Sequence, residues 1–167
     1  MRKYIILTSL IILLLPPIIV DKSLHVIVVN KENKRFVFPV AIGSDSTQTL
    51  EGVFLITGKS KDPEWFIDDK IYPPYKKDPE NGLGTRWMAL SWRGYGIHGT
   101  NDPFSPGKSV SQGCVRLQNK DVEKIFDYVN VGDRVKIYSP NLPDDVKKSF
   151  SFLINFYDIK SFIEGSR

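Results

Sequence analysis

The sequence predicts a mainly β fold, a sandwich or a barrel, with one helix after its single cysteine and another near the C-terminus. Three observations predict it. Short β-branched, apolar runs recur along the chain, separated by turn-forming residues. Only two stretches carry apolar residues at helical spacing. With 41% hydrophobic and 25% charged residues, the 167-residue chain has material for one globular domain with a real core.

The strands follow in order. Leu24 to Val29 is the first, and Asn30-Lys31-Glu32-Asn33-Lys34 turns the chain into a second over Arg35 to Val40. Gly52 to Thr57 is a third, Arg86 to Trp92 and Tyr95 to His98 supply two more, and the alternating Arg134 to Tyr138 closes the set. Lys59 to Gly84, rich in proline and aromatic residues, is expected as an irregular segment. It is either a lid or binding wall, or a plain surface insertion.

The first helix is expected over Lys120 to Val129, with Asn119 as its cap. Val122, Ile125, Phe126 and Val129 fall on one face. The second starts near Pro143, with Asp144 and Asp145 in its first turn, where the helix dipole favours them. Val146, Phe150, Leu153, Ile154 and Tyr157 share a face, and Phe152, Phe156, Ile159 and Phe162 add apolar surface elsewhere.

The N-terminus reads as an export signal. Met1-Arg2-Lys3 is basic, and Tyr4 to Val20 carries no charge. Seventeen residues at ~1.5 Å each span roughly 25 Å, short of a ~30 Å hydrocarbon core. No small-x-small cleavage site follows, so an uncleaved anchor is the expectation, with the domain outside the cytoplasm. The boundaries expected are 1–23 for the signal or anchor, 24–138 for the domain and 139–167 for a helical extension.

A net charge of +4, scattered singly, excludes a nucleic-acid-binding stripe. With only His25 and His98 and no ligand spacing, no metal site is expected. One cysteine, Cys114, cannot form an internal disulfide; it is a reactive thiol or a small core residue. Its surroundings favour chemistry. Cysteine attacks an acyl carbon as thiolate, and its pKa near ~8.5 leaves it mostly protonated at neutrality. A histidine beside it can take that proton and return it to a leaving amine. His98 lies 16 residues earlier, a distance that a strand-loop-strand return can close. Gly113 permits a tight turn, and the Cys114 N–H could face an oxyanion. Arg116, two positions on, shares a strand face with Cys114 and could hold a carboxylate.

Ile97-His98-Gly99-Thr100-Asn101-Asp102-Pro103 and Ser111-Gln112-Gly113-Cys114-Val115-Arg116-Leu117 resemble the catalytic signature of the L,D-transpeptidase (YkuD-like) family. The resemblance extends from about Leu24 to Tyr138, through Glu51-Gly52-Val53-Phe54, Asp62-Pro63-Glu64-Trp65, Asn81-Gly82-Leu83-Gly84, Arg86-Trp87-Met88-Ala89-Leu90 and Val131-Gly132-Asp133-Arg134-Val135. Two departures stand out. Gln112 replaces the family's histidine before Gly-Cys; it bonds hydrogen but does not titrate. Leu50-Glu51-Gly52 replaces a Thr-Pro-x-Gly pattern.

The resemblance implies a cysteine acyltransferase. Cys114 is its nucleophile, His98 its base, and the Gly99 carbonyl orients His98. Arg116, Ser111, Gly113, Gln112, Tyr95 and Trp87 are its expected substrate-binding residues. Peptidoglycan stem peptides are the implied partner, in the cell envelope. No cofactor and no metal are required; association with a membrane through residues 1–20 and a monomeric state are expected. Stem trimming, a non-catalytic wall-binding domain and a sortase-like thiol enzyme are the alternatives.

Overall fold

The computed structural model describes residues 16–149. Its frame is an eight-stranded sheet whose middle joins the two ends of the domain. The strands are β1 (Ile18–Asp21), β2 (Val26–Lys31), β3 (Lys34–Pro39), β4 (Ile42–Gly43), β5 (Gly52–Lys61), β6 (Trp65–Ile67), β7 (Lys70–Tyr72), β8 (Arg86–Leu90), β9 (Gly96–His98), β10 (Ser109–Ser111), β11 (Val115–Arg116) and β12 (Arg134–Tyr138), with helix α1 (Asn119–Phe126) between β11 and β12. The large sheet runs β11-β9-β8-β5-β12-β1-β2-β3, and β10-β4 and β6-β7 form separate pairs.

The expected mainly β class holds, and the sheet curls. Just past β3 at one edge, Ala41 exchanges both backbone hydrogen bonds with Arg116 of β11 at the other edge (2.8 and 2.9 Å). Ile42 and Gly43 then pair with Ser109 and Ser111. The exposed edge of each strand is thereby blunted, as closure does in a barrel.

The N-terminal boundary is corrected. Ile18–Asp21, assigned by sequence to the signal or anchor, is a central strand, parallel to β12 and antiparallel to β2. Ile18 and Val20 are fully buried. The uncharged run therefore divides: its last residues are apolar because they are core. An apolar run does not reveal whether lipid or protein covers it. Residues 1–15, and with them the rest of the expected signal or anchor, lie outside the described residues. No helix among the described residues is long and apolar enough to cross a membrane.

Glu32 and Asn33 both have positive φ (51° and 63°), the two-residue turn that matches strand twist between β2 and β3. Asp68 and Asp69 do the same (49° and 58°) between β6 and β7, inside the stretch expected to be irregular. That hairpin is stapled by Trp65 against Tyr72, ring centroids 5.1 Å apart. At its base, the buried Asn81 side chain donates to the carbonyls of Pro63 and Pro73 and accepts from the Leu83 N–H. β5 runs four residues past its expected end, to Lys61, and a bulge near Thr57 re-registers it against β8.

The core is one cluster drawn from the large sheet and α1, including Ile18, Ile27, Met88, Ile97, Val115 and Val122. All four residues of the expected helical stripe are buried, although α1 ends at Phe126 and Val129 follows beyond it. The Lys59 ammonium donates to the carbonyls of Phe126 and Val129, satisfying the helix C-terminus. Asn119 is not the cap. Gln118 occupies that position without a side-chain cap bond, and Asn119 points elsewhere. Residues 144–149 are helical, as expected after Pro143; Phe150, Phe152, Leu153, Ile154, Phe156, Tyr157, Ile159 and Phe162 lie outside the described residues.

Burying Ile18 and Val20 is worth roughly 1.5–3 kcal/mol each, and their strand also supplies ladder bonds on both sides. A chain beginning at Leu24 is therefore expected to show no cooperative thermal transition. A chain beginning at Pro16 is expected to melt as the full protein does. Equal melting of the two would refute the placement of β1.

Candidate active site

Three short strands build the site. β9 lies between β8 and β11, so Trp87 pairs with His98 on one side and Arg116 with His98 on the other. The β9-β11 pairing is parallel, which requires a long crossover; residues 99–114 provide it. That crossover returns Cys114 to the end of β11, beside the histidine strand. Val115 and Ile97 turn into the core, while Cys114, Arg116 and His98 line a cavity of about 770 Å³.

Gly113 sets the cysteine's approach. Its φ is +108°, and a Cβ there would sit 2.4 Å from the Tyr95 ring, so only glycine fits. The buried Ser111 hydroxyl holds the turn, donating to the Cys114 carbonyl (2.6 Å) and accepting from the Gly113 N–H (3.1 Å). The half-buried thiol makes a long contact, 3.8 Å, to the Gly94 carbonyl.

His98 is buried, and its Nδ1 lies 2.7 Å from the Gly99 carbonyl. A carbonyl only accepts, so this contact places the hydrogen on Nδ1; the Leu83 backbone also hydrogen-bonds the ring. Burial, and then the positive charge of Arg116, push the imidazole pKa down to about 3. Burial pushes the Cys114 thiol up, against opposing pulls from the Gly96 backbone and Arg116. The resting pair is therefore neutral: a thiol and a neutral imidazole. Trp87 packs on the His98 ring, centroids 5.4 Å apart, and lies over Gly96, where a Cβ would meet it at 2.5 Å.

Arg116 is half-buried, and its Nε is buried without a hydrogen-bond partner. Desolvation lowers its pKa, while the nearby Asp102 and Cys114 favour its charge. Such a guanidinium is suited to an incoming anion.

The structure brings Cys114, His98, Arg116, Gln112 and Trp87 to one cavity. Gln112 is exposed at its rim. Ser111, Gly113 and Tyr95, expected to face substrate, do not line it: Ser111 and Gly113 shape the turn, and Tyr95 packs beneath Gly113. The opposite wall comes from the segment after β5. Asp62, Glu64, Trp65 and Phe66 line it, and Phe66 is 67% exposed. The aromatic density of that segment signalled a wall; its hairpin was hidden by Asp-Asp, an uncommon turn pair. Among the described residues no three or more His, Cys, Asp or Glu side chains converge as metal ligands would.

The sequence and the fold match a known family. The L,D-transpeptidase catalytic domain (YkuD) matches residues 17–137, so the match begins at β1. The chain belongs to this family. YqjB of Bacillus subtilis strain 168, which bears an L,D-transpeptidase name, is 38% identical over 132 residues, covering 75% of this chain and 73% of its own. YkuD of the same strain is 39% identical over 100 residues, covering 60% of this chain and 51% of its own. Among solved structures, the Enterococcus faecium L,D-transpeptidase superposes with a TM-score of 0.60 at 23% identity, covering 74% of this chain and 49% of that one. One from Mycobacterium tuberculosis H37Rv gives 0.59 at 18%, covering 74% and 58%. These two structures share the fold. The chain thus spans about half to three quarters of the length of these relatives.

Two outcomes follow from the electrostatics. His98 has a folded-state pKa near 3 against 6.5 when unfolded, so between those values the unfolded chain binds the extra proton. Stability is full above pH 6.5 and declines as pH falls toward 3. The partly buried His25 acts in the same direction. His98→Gln is expected to flatten this decline, read from denaturant midpoints across pH 3–8; an unchanged slope would contradict the buried neutral imidazole. Second, iodoacetamide alkylation of Cys114 is expected to keep accelerating past pH 9, and Arg116→Gln to shift the profile further upward. A plateau near pH 7 would indicate a preformed thiolate instead.

Proposed function

We propose that this chain is a peptidoglycan L,D-transpeptidase acting through a Cys114 acyl-enzyme on tetrapeptide stems. The observation that carries the reading is one cavity lined by a thiol, an imidazole whose Nδ1 is tied to a carbonyl, and a guanidinium with a free buried Nε.

Each residue has a step. A carboxylate of the donor stem docks on Arg116. Its negative charge offsets the guanidinium that depresses His98, so substrate binding makes the imidazole a better base. His98 Nε2 takes the thiol proton as Sγ attacks the carbonyl of the bond between an L-centre and a D-centre. The developing oxyanion faces the Cys114 N–H. Collapse expels the terminal D-alanine amine, which takes the proton from His98. The proton leaves readily, because burial and Arg116 disfavour the imidazolium. An amine from a second stem then resolves the thioester, giving a 3→3 cross-link; water would give stem trimming. The Gly99 carbonyl keeps His98 in the productive tautomer throughout.

Neither cofactor nor metal enters these steps. Gln112 at the rim can hydrogen-bond substrate, but takes no part in proton transfer. The cell envelope is the compartment this substrate requires, with residues 1–15 as the candidate export or membrane segment and a monomer as the working unit. A non-catalytic wall-binding module would have no use for a neutral imidazole beside a thiol in a desolvated cavity.

Structures with this fold include an L,D-transpeptidase in complex with imipenem, a carbapenem, so a carbapenem is a suitable probe of acylation here. Incubation of the purified protein with disaccharide-tetrapeptides is expected to yield cross-linked dimers or tripeptides by mass spectrometry. Cys114→Ala is expected to abolish them, and His98→Gln to slow them by at least ~100-fold. A carbapenem is expected to add one mass increment at Cys114. No product and no adduct from the folded wild type would overturn the reading.

A further inference from the structure

We infer that Asn119 is a positioning residue for the active-site histidine, acting through a single peptide plane. The amide of Asn119 leaves the start of α1 and bridges two loops. Its Oδ1 accepts from the N–H groups of Thr85 and Thr100, each at 3.1 Å, and its Nδ2 donates to the Thr100 carbonyl at 2.9 Å.

The Thr100 N–H belongs to the same peptide unit as the Gly99 carbonyl. That unit is planar, and in the trans form its N–H and C=O point in opposite directions. Holding the Thr100 N–H on Asn119 therefore aims the Gly99 carbonyl away from α1, toward His98 Nδ1, 2.7 Å away. Engaging the N–H also polarises the carbonyl and strengthens it as an acceptor. The Gly99 N–H, donated to the Arg86 carbonyl at 3.1 Å, fixes the preceding plane. Rotation of the Gly99–Thr100 plane would break the Nδ1 bond, and Asn119 blocks that rotation; the Leu83 backbone is a second hold on the ring.

Two glycines make room for the device. A Cβ at Gly84 or at Gly99 would lie 2.1 Å from Asn119 Oδ1. Gly84 also has φ +64°, so a side chain there would be strained as well as obstructed. The glycine after His98 is thus explained by the amide it admits. Packing anchors the other end of α1: Val122 and Ile125 are fully buried, and Lys59 ties down its last carbonyls. Helix placement is in this way transmitted to the tautomer of His98.

The test reads the tautomer directly. Spectra of ¹⁵N-histidine-labelled protein separate Nδ1–H from Nε2–H imidazole, and His98→Gln assigns the signal. Wild type is expected as Nδ1–H; Nε2–H would overturn the inference at once. Asn119→Ala is expected to move His98 toward the mixture found in free histidine, and to slow carbapenem acylation of Cys114 by about 10–100-fold. Asn119→Asp keeps an acceptor for both N–H groups, and is expected to retain the Nδ1–H tautomer and stay within about threefold of wild type. An Asn119→Ala protein that keeps the Nδ1–H tautomer would refute the proposal, whatever its rate; so would Asn119→Asp folding with the tautomer lost.

The kinetic arm rests on the acyl-transfer reading, and the spectroscopic arm does not. A wild type inert toward stems and carbapenem would sink the proposed function. An unmoved His98 signal in Asn119→Ala would sink this inference alone.

Discussion

The parallel pairing of β9 with β11 is the constraint on which the rest of the site depends. Two residues of β11 meet two of β9, placing Arg116 opposite His98 and ending the crossover at Cys114. A ladder this short cannot hold itself together. It is held by Ala41, whose backbone bonds Arg116 from the far edge of the large sheet, and by Leu117, whose N–H donates to the His98 carbonyl. Closing the sheet and assembling the site are therefore one event.

The electrostatics follow from that pairing. Arg116 is close enough to His98 to depress it and to Cys114 to favour its thiolate, yet burial outweighs the second effect. The cavity rests uncharged at Cys114 and His98 and carries its positive charge on the guanidinium. Such a state disfavours indiscriminate thiol chemistry, because burial keeps the Cys114 thiol mostly protonated. Backbone groups do much of the orienting: Gly99 holds the imidazole, while the Ser111 hydroxyl and Gly113 shape the thiol's turn.

Much of this was legible from residues alone. Six strands and the stripe of α1 were visible because alternation of period 2 and spacing near 3.6 persist over enough residues to register. The short strands β4, β6, β7, β10 and β11 were not, since two or three residues carry no period; β9, equally short, was marked by Tyr95 and Ile97 alternating before His98. β1 was concealed by its continuity with a longer apolar run, whose last turn of sequence looks the same whether it meets lipid or the core. Asn119 was misassigned for a related reason: a residue of capping type at a helix start is read locally, while its partners, Thr85 and Thr100, are 34 and 19 residues away. Ser111, Gly113 and Tyr95, expected at the substrate, lie beside the cavity and not along it, because adjacency to Cys114 in sequence does not say which side of the backbone a group occupies.

By itself, the sequence determined the mainly β class, the single thiol, the histidine that could serve it and the glycines around both, because these are matters of residue type and short-range pattern. Tertiary structure decided which strand closes the sheet, that one cavity gathers Cys114, His98 and Arg116, and that a distant asparagine sets a peptide plane beneath the histidine. Those depend on burial and on backbone bonds between residues far apart in the chain, and the free energy of such contacts exists only once the chain has closed.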